Sequence, residues 1–366
     1  MTPWFKPTYW GNEKLYVMDA LDSSWISGGE YIRKFESQFA DIHEMCGAIT
    51  VSNGTTALYL ALLALNIGPG DEVIVPGYTF AAPANMVIAA GAKPVFVDVD
   101  ADTWLINTSL IEEKINKNTK AILPVHIYGN VCSMDIINEL AKKYNIYVIE
   151  DVAEAAFSKQ NNKYAGTFGN VGCFSFQATK TLTMGEGGAV LFSDKLVEQR
   201  ARIIRNHGMS TDRPYWHFEI GHNFRLTNMQ AAFGLAQLEK VNEIISQKKR
   251  VYQRYLSNLS AINGIRMQKI NADIDPVIWA VALCIDSKSI SISRDTLRSV
   301  LTERGIETRA GFYAFNEMPL YNSDTLPVSS AISNSLISFP SYPGLKDSEI
   351  DEICETFLKI GITSYV

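Results

Sequence analysis

The sequence predicts an α/β fold: a large unit with a mostly parallel central sheet, followed by a smaller C-terminal α/β unit. Three observations carry this. Short apolar stretches alternate with helix-patterned ones between about residues 55 and 150. Those stretches are apolar throughout, which implies strands covered on both faces. The pattern breaks after Asp194 and resumes on a smaller scale from about residue 260.

Each element follows in order. Residues 13–22 and 29–45 carry helical spacing, the second with Tyr31, Phe35, Phe39 and Ile42 on one face. Residues 55–66 form a strongly apolar helix opened by Ser52-Asn53-Gly54-Thr55. Val73–Pro76 reads as a strand, Ala82–Ala90 as a helix of small residues, Pro94–Val97 as a strand and Ser109–Ile115 as a helix. Ala121–His126 is a strand, Met134–Tyr144 a helix and Tyr147–Ile149 a strand. Lys195–Asn206 is helical, and residues 207–224 form an aromatic, polar loop. Asn228–Lys240 and Val241–Leu259 are helical, readable as two helices or one bent one. Val277–Ile285 is a strand, and Ser293–Arg304 and Asp347–Ile360 are helices. The large unit is placed at residues 1–240 and the small one at 241–366.

Composition narrows the function classes. The net charge is −6, and the short basic run Lys248-Lys249-Arg250 suits a solvated helix face, so nucleic-acid binding is not expected. The five cysteines are dispersed without a CxxC pair, as in a reducing compartment. The stretch from Met1 to Lys6 has no signal-peptide pattern, and no apolar run is long enough for a membrane span. The cytoplasm is the expected location.

Parallel sheets place ligands beyond the carboxyl ends of their strands. Asp98, His126, Asp151 and Lys180 all fall near such ends. Lys180 leaves an apolar strand, Gly172–Phe176, and precedes a glycine cluster, Gly185-Glu186-Gly187-Gly188. A strand-end lysine near a strand-end acid suits pyridoxal 5′-phosphate (PLP), which needs an amine for its Schiff base and a carboxylate at its pyridinium nitrogen. Asp151 is the candidate carboxylate, although strand-end acids also cap loops. Ser52-Asn53-Gly54-Thr55-Thr56 serves either as a phosphate grip at a helix N-terminus or as a plain N-cap. Glu154 is placed to reach the cofactor's phenolic oxygen or to be a surface acid. Phe80 is a candidate for stacking on the ring or for the core. Ser175 adds a hydroxyl to the phosphate or bonds its own strand. The histidines lack metal-ligand spacing, so no metal is expected. GCFSFQA is not a nucleophile elbow, and the Gly68-Pro69-Gly70-Asp71 turn is not a dinucleotide fingerprint.

Taken together, the segments SNGTTALYLAL, GDEVIVPGYTFAAPAN, GAKPVFVDVD, VHIYGN, VIEDVAEA, GTFGNVGCFSFQATKTLTMGEGGAV, RNHG and GHNFRLTNMQAAFGLAQLEK resemble, in order, the DegT/DnrJ/EryC1/StrS family of sugar aminotransferases. The resemblance implies a fold type I PLP-dependent aminotransferase, working as a homodimer with shared active sites. It implies that Lys180 forms the Schiff base and carries protons. Asp151 would face the ring nitrogen, Glu154 the phenolic oxygen, and Phe80 the ring. Gly54, Thr55 and Ser175 would hold the phosphate, joined by Asn223 of a second subunit. Lysine, where some relatives carry histidine and act as dehydratases, implies transamination. The amino group would pass from glutamate to a nucleotide-linked keto sugar. Within the family the chain is most similar to members that aminate C4 of GDP-4-keto-6-deoxymannose, giving GDP-perosamine. Such work belongs to surface-polysaccharide or glycoconjugate synthesis, including O-antigen and lipopolysaccharide. Arg309 and Tyr313 are candidates for substrate contact. Those members carry Pro-x-His after the tyrosine, whereas here Tyr313 precedes Ala314-Phe315-Asn316. The alternatives are a UDP- or dTDP-linked keto sugar, a cyclitol ketone, or a non-catalytic sensor with the same fold.

Overall fold

Seven strands form the main sheet of the computed structural model, which describes residues 1–286, 289–290, 292–321 and 323–361. They are β1 (Gly47–Val51), β2 (Glu72–Pro76), β3 (Lys93–Val97), β4 (Thr119–Ile122), β5 (Tyr147–Asp151), β6 (Val171–Ser175) and β7 (Gly188–Phe192). Their spatial order is β1-β7-β6-β5-β4-β2-β3. Only β7 runs against its neighbours, β1 and β6; all other pairs are parallel. The carboxyl ends of β1, β2, β5 and β6 therefore share one edge. Helices cover both faces, as continuous apolar strands require. On one face lie α2 (Glu30–Ile42) and α7 (Asn228–Leu238), with α5 (Met134–Tyr144) beside them and α1 (Glu13–Asp22) packed on α7. On the other lie α3 (Gly54–Ala64), α4 (Ala82–Ala89) and α6 (Lys195–Arg205).

After α7 a break at Glu239–Lys240 gives α8 (Val241–Leu259), so the long helical stretch is two helices. α8 packs against α9 (Asp347–Gly361) beside a four-stranded sheet ordered Ile265–Met267, Ala282–Ile285, Leu336–Ser338, Arg309–Ala310. The first residues return to this sheet. Thr2 bridges Ile306, and the Trp4 indole donates to Ser338 Oγ at 3.1 Å.

Four sequence expectations shift. Ser109–Ile115 is two 3₁₀ turns, Thr108–Leu110 and Glu112–Lys114, because only Ile111 is deeply buried and no helical face has a surface to cover. The helix expected over 29–45 stops at Ile42, where the His43 ring bonds the Phe39 carbonyl and Glu44 turns left-handed at φ 54°. The strand expected over Ala121–His126 ends at Ile122, just before Pro124, which has no N–H to pair. In Val277–Ile285 only Ala282–Ile285 is a strand. The rest is a loop whose N–H groups turn elsewhere: Val277 to Ser158 Oγ, Trp279 to the Tyr128 carbonyl and Val281 to Ser341 Oγ.

Lys248 on α8 is buried, its Nζ donating to the carbonyls of Trp279 (2.6 Å) and Ser341 (2.9 Å). Burial alone pulls its amine down to about 7. The unfolded chain therefore binds more protons than the folded one between about pH 7 and the ordinary lysine range, so this site's contribution to stability rises with pH there. Lys248→Met removes that rise. The stability of wild type relative to the variant, from urea midpoints, is expected to grow by up to about 1.4 kcal/mol per pH unit across this window. A difference flat with pH would contradict it.

Candidate active site

A cavity of about 770 Å³ opens at the carboxyl edge of the main sheet. Its floor comes from β5 and β6, its back from the start of α3, and its far wall from Trp279, Arg309 and Phe312.

Helix α3 points its N-terminus into the cavity. Asn53 caps it: Oδ1 accepts the Thr56 N–H at 2.9 Å, and Thr56 Oγ1 accepts the Asn53 N–H at 3.1 Å. Gly54 and Thr55 line the cavity at the positive end of the helix. A Cβ on Gly54 would lie 2.7 Å from Ser175 Cβ, so glycine lets the helix start seat on the end of β6. The cap and the anion grip coexist, on different residues of one turn.

Asp151 ends β5 in register with Cys173 of β6. Its Oδ1 accepts the Ala153 N–H at 2.9 Å. Burial pushes its carboxyl above the ordinary range, against the pull of that N–H, Lys180 and His126. Glu154 is buried nearby; its Oε2 accepts the Tyr128 N–H at 2.8 Å and its Oε1 lies 3.7 Å from Lys180 Nζ. Burial raises the Glu154 carboxyl and lowers the Lys180 amine, each opposed by the charge of the other. The loop carrying Lys180 is fixed by hydrogen bonds from Lys180 N–H to the Gln177 carbonyl and from Met184 N–H to the Phe176 carbonyl. It closes at Gly185, whose φ of 81° needs a glycine.

The structure thus brings Gly54, Thr55, Phe80, Asp151, Glu154, Ser175, Lys180 and Arg309 to one cavity. Phe80 stands at its rim, 56% exposed, edge-on to Phe312. The Arg309 guanidinium lies 4.1 Å from the Trp4 ring. Asn223 and Tyr313 do not line the cavity; both are exposed on this chain. Two of the four strand-end candidates also lie elsewhere. Asp98 accepts from the N–H groups of Val328 and Ser329 and so caps a helix, Pro327–Ser335. His126 is buried with its Nε2 3.0 Å from Glu150, and its Nδ1 accepts the Cys132 N–H. Trp279, Phe312, Gln177 and Glu186 also line the cavity. No local motif marks Trp279, which the chain brings back from a distant loop.

A half-buried amine, two carboxylates and a helix N-terminus in one cavity match PLP part by part: aldehyde carbon, ring nitrogen and phenolic oxygen, phosphate. A family model described as the DegT/DnrJ/EryC1/StrS aminotransferase family matches residues 9–358. The chain belongs to this family. As a DegT/DnrJ/EryC1/StrS aminotransferase it is an enzyme that uses PLP, and its fold and cofactor are those expected from the sequence. It is 44% identical to the GDP-perosamine synthase of Escherichia coli O157:H7 over 357 residues, covering 97% of each chain. It is 38% identical to that of Vibrio cholerae, again over 97% of both. Spr1654 from Streptococcus pneumoniae in its PLP form superposes with a TM-score of 0.91 at 26% identity, covering 97% of each chain.

Proposed function

We propose that this aminotransferase moves the amino group of glutamate to C4 of GDP-4-keto-6-deoxymannose, giving GDP-perosamine for polysaccharide or glycoconjugate synthesis such as O-antigen. One observation carries the chemistry: the Lys180 amine lies 3.7 Å from Glu154 in the cavity that Asp151 and the N-terminus of α3 also enter. The likeness to two GDP-perosamine synthases supports the sugar and the nucleotide. At the departure over residues 314–316, Ala314 and Phe315 are fully buried, Phe315 stacks on Phe96 at 4.6 Å, and half-buried Asn316 bonds Ser330.

PLP, when bound, supplies a ring that withdraws electrons from the carbon losing its proton. The chain's own residues do the rest. Lys180 provides the amine that bonds the cofactor and then moves the proton between carbons. Asp151 would hold the ring nitrogen protonated, and Glu154 would orient the phenolic oxygen and the free amine. Gly54, Thr55 and Ser175 would bind the phosphate, Phe80 would face the ring, Arg309 would meet the substrate inside the cavity and Tyr313, exposed outside its lining, would meet it at the entrance.

A second copy of the chain would complete the site. Leu15, Met18 and Trp25 are 63%, 53% and 69% exposed, and Tyr215 and Ile220 in the loop before Asn223 are 89% and 87% exposed. Exposed apolar side chains of this kind suit a subunit interface. Asn223→Ala is expected to weaken PLP retention about tenfold, the worth of one hydrogen bond to a charged group. Equilibrium dialysis against PLP would read it, and an unchanged affinity would remove Asn223 from the phosphate site. The five cysteines are free thiols, which suits the cytoplasm. Among the described residues no helix is long and apolar enough to cross a membrane.

The deciding experiment is a visible spectrum of the PLP-loaded protein. Glutamate should bleach the band of lysine-bound PLP, and GDP-4-keto-6-deoxymannose should restore it. Bleaching that only a UDP- or dTDP-linked ketone reverses would replace the sugar.

A further inference from the structure

Lys180 is held by more than its acidic neighbours. The indole of Trp279 lies over its amine, 3.7 Å from Nζ to ring centre. The same indole donates its Nε1–H to the Thr179 carbonyl at 2.7 Å. Trp279 therefore grips both the side chain of Lys180 and the peptide before it. Its own backbone is pinned at both ends. The N–H donates to the Tyr128 carbonyl at 3.0 Å, and the carbonyl accepts from Lys248 Nζ at 2.6 Å. Tyr128 donates its N–H to Glu154 Oε2. The contacts close a ring: Lys180, Glu154, Tyr128, Trp279 and Lys180 again.

Two members of this arrangement are held against a cost. Tyr128 sits at φ 58°, a left-handed backbone that costs a tyrosine on the order of 1–3 kcal/mol and persists where its surroundings over-determine it. It is clasped between Trp279 and Phe312, stacked at 6.2 and 5.9 Å. Lys248 is 4% exposed and bonds only carbonyls, an expensive place for an amine.

We propose that Trp279 is a positioning residue that holds the Lys180 amine whenever it is not bonded to the cofactor, and that Lys248 acts through Trp279 by anchoring its carbonyl. The inference rests on Lys180 being the PLP lysine. An indole face attracts an ammonium and keeps water from it. An amine parked there returns to the reacting carbons without a search. A displacement of about 1 Å at such a group costs on the order of 10²-fold in rate.

The test begins with the cofactor-free full chain. Wild type, Trp279→Leu, Trp279→Phe and Lys248→Met are treated briefly with acetic anhydride, and the acylation of Lys180 is compared with that of exposed Lys34 by peptide mass spectrometry. Lys180 is expected to react several-fold faster in Trp279→Leu and Lys248→Met. Trp279→Phe, which keeps a ring and loses the bond to Thr179, should fall between them and wild type. In the PLP-loaded enzymes, Trp279→Leu should lower kcat about 10²-fold with little change in KM, and the isotope effect with α-deuterated glutamate should grow. A purely structural lesion lowers the folded fraction and leaves that isotope effect unmoved. Equal Lys180 labelling and equal isotope effects in all four chains would overturn the proposal. Trp279→Phe keeps it open to refutation should Lys248→Met fold poorly. A wild type that forms no PLP band undoes the cofactor reading instead, while the labelling contrast still decides whether Trp279 and Lys248 hold the amine.

Discussion

Lys180→Ala is expected to give a folded chain that binds PLP weakly and transfers no amino group at a measurable rate. The lysine has two tasks, bonding the cofactor and moving the proton, and alanine performs neither. Positioned proton transfer alone contributes about 10²–10⁴-fold, so the loss should reach at least the upper end of that range. Folding should survive because Lys180 lines a cavity and its amine contacts, to Glu154 and Trp279, lie in the cavity wall. Removing the amine relieves its own desolvation cost but leaves buried Glu154 and Asp151 without their counter-charge, so the melting temperature should fall modestly while the fold persists. Single-turnover assays with purified variant, alongside a melting curve, check both halves. Amino-sugar formation near the wild-type rate would place the chemistry on another residue.

Asp151→Asn should be the next most damaging change. The amide keeps the shape and can still accept the Ala153 N–H through its oxygen. It cannot carry the negative charge that keeps a pyridinium nitrogen protonated. Loss of one preorganised electrostatic partner costs about 10²–10³-fold in kcat, which is the expected fall. The buried site also makes the effect specific. Burial raises the Asp151 carboxyl, while the Ala153 N–H and the charge of Lys180 pull it back. The visible band of lysine-bound PLP should change its pH dependence in Asp151→Asn. A variant with wild-type kcat and the wild-type spectral titration would show that Asp151 does not face the ring.

Much of the fold was legible because its signals are local. Residues 73–76 of β2, 94–97 of β3 and 147–149 of β5 are apolar runs, and α5 and α8 each bury one face. The errors share a cause. Val277–Val281 looks like a strand since it is apolar, yet it is apolar because Val277 and Ala280 pack in the core beside the main sheet and Ile278 and Val281 in the core around α8. Ser109–Ile115 has helical spacing but one buried anchor, Ile111. The site shows the same division. Lys180 and Gly54 announce themselves by the turns they sit in. Asp98 and Asp151 look alike in sequence, as acids after short apolar strands. Their difference lies in what arrives opposite: a helix start for Asp98, an open cavity for Asp151. Trp279 had no signal at all, because its partner Thr179 is set by the fold and not by neighbouring residues.

The hydrogen bond from Trp279 to Thr179 joins residues 100 apart in the chain. A ribosome adding about 5–20 residues per second therefore makes Lys180 roughly 5–20 seconds before the residue that covers it. The phosphate turn, both carboxylates and the lysine are all translated before that cover. Cofactor capture thus has an interval during synthesis in which one wall of its cavity has not yet been made.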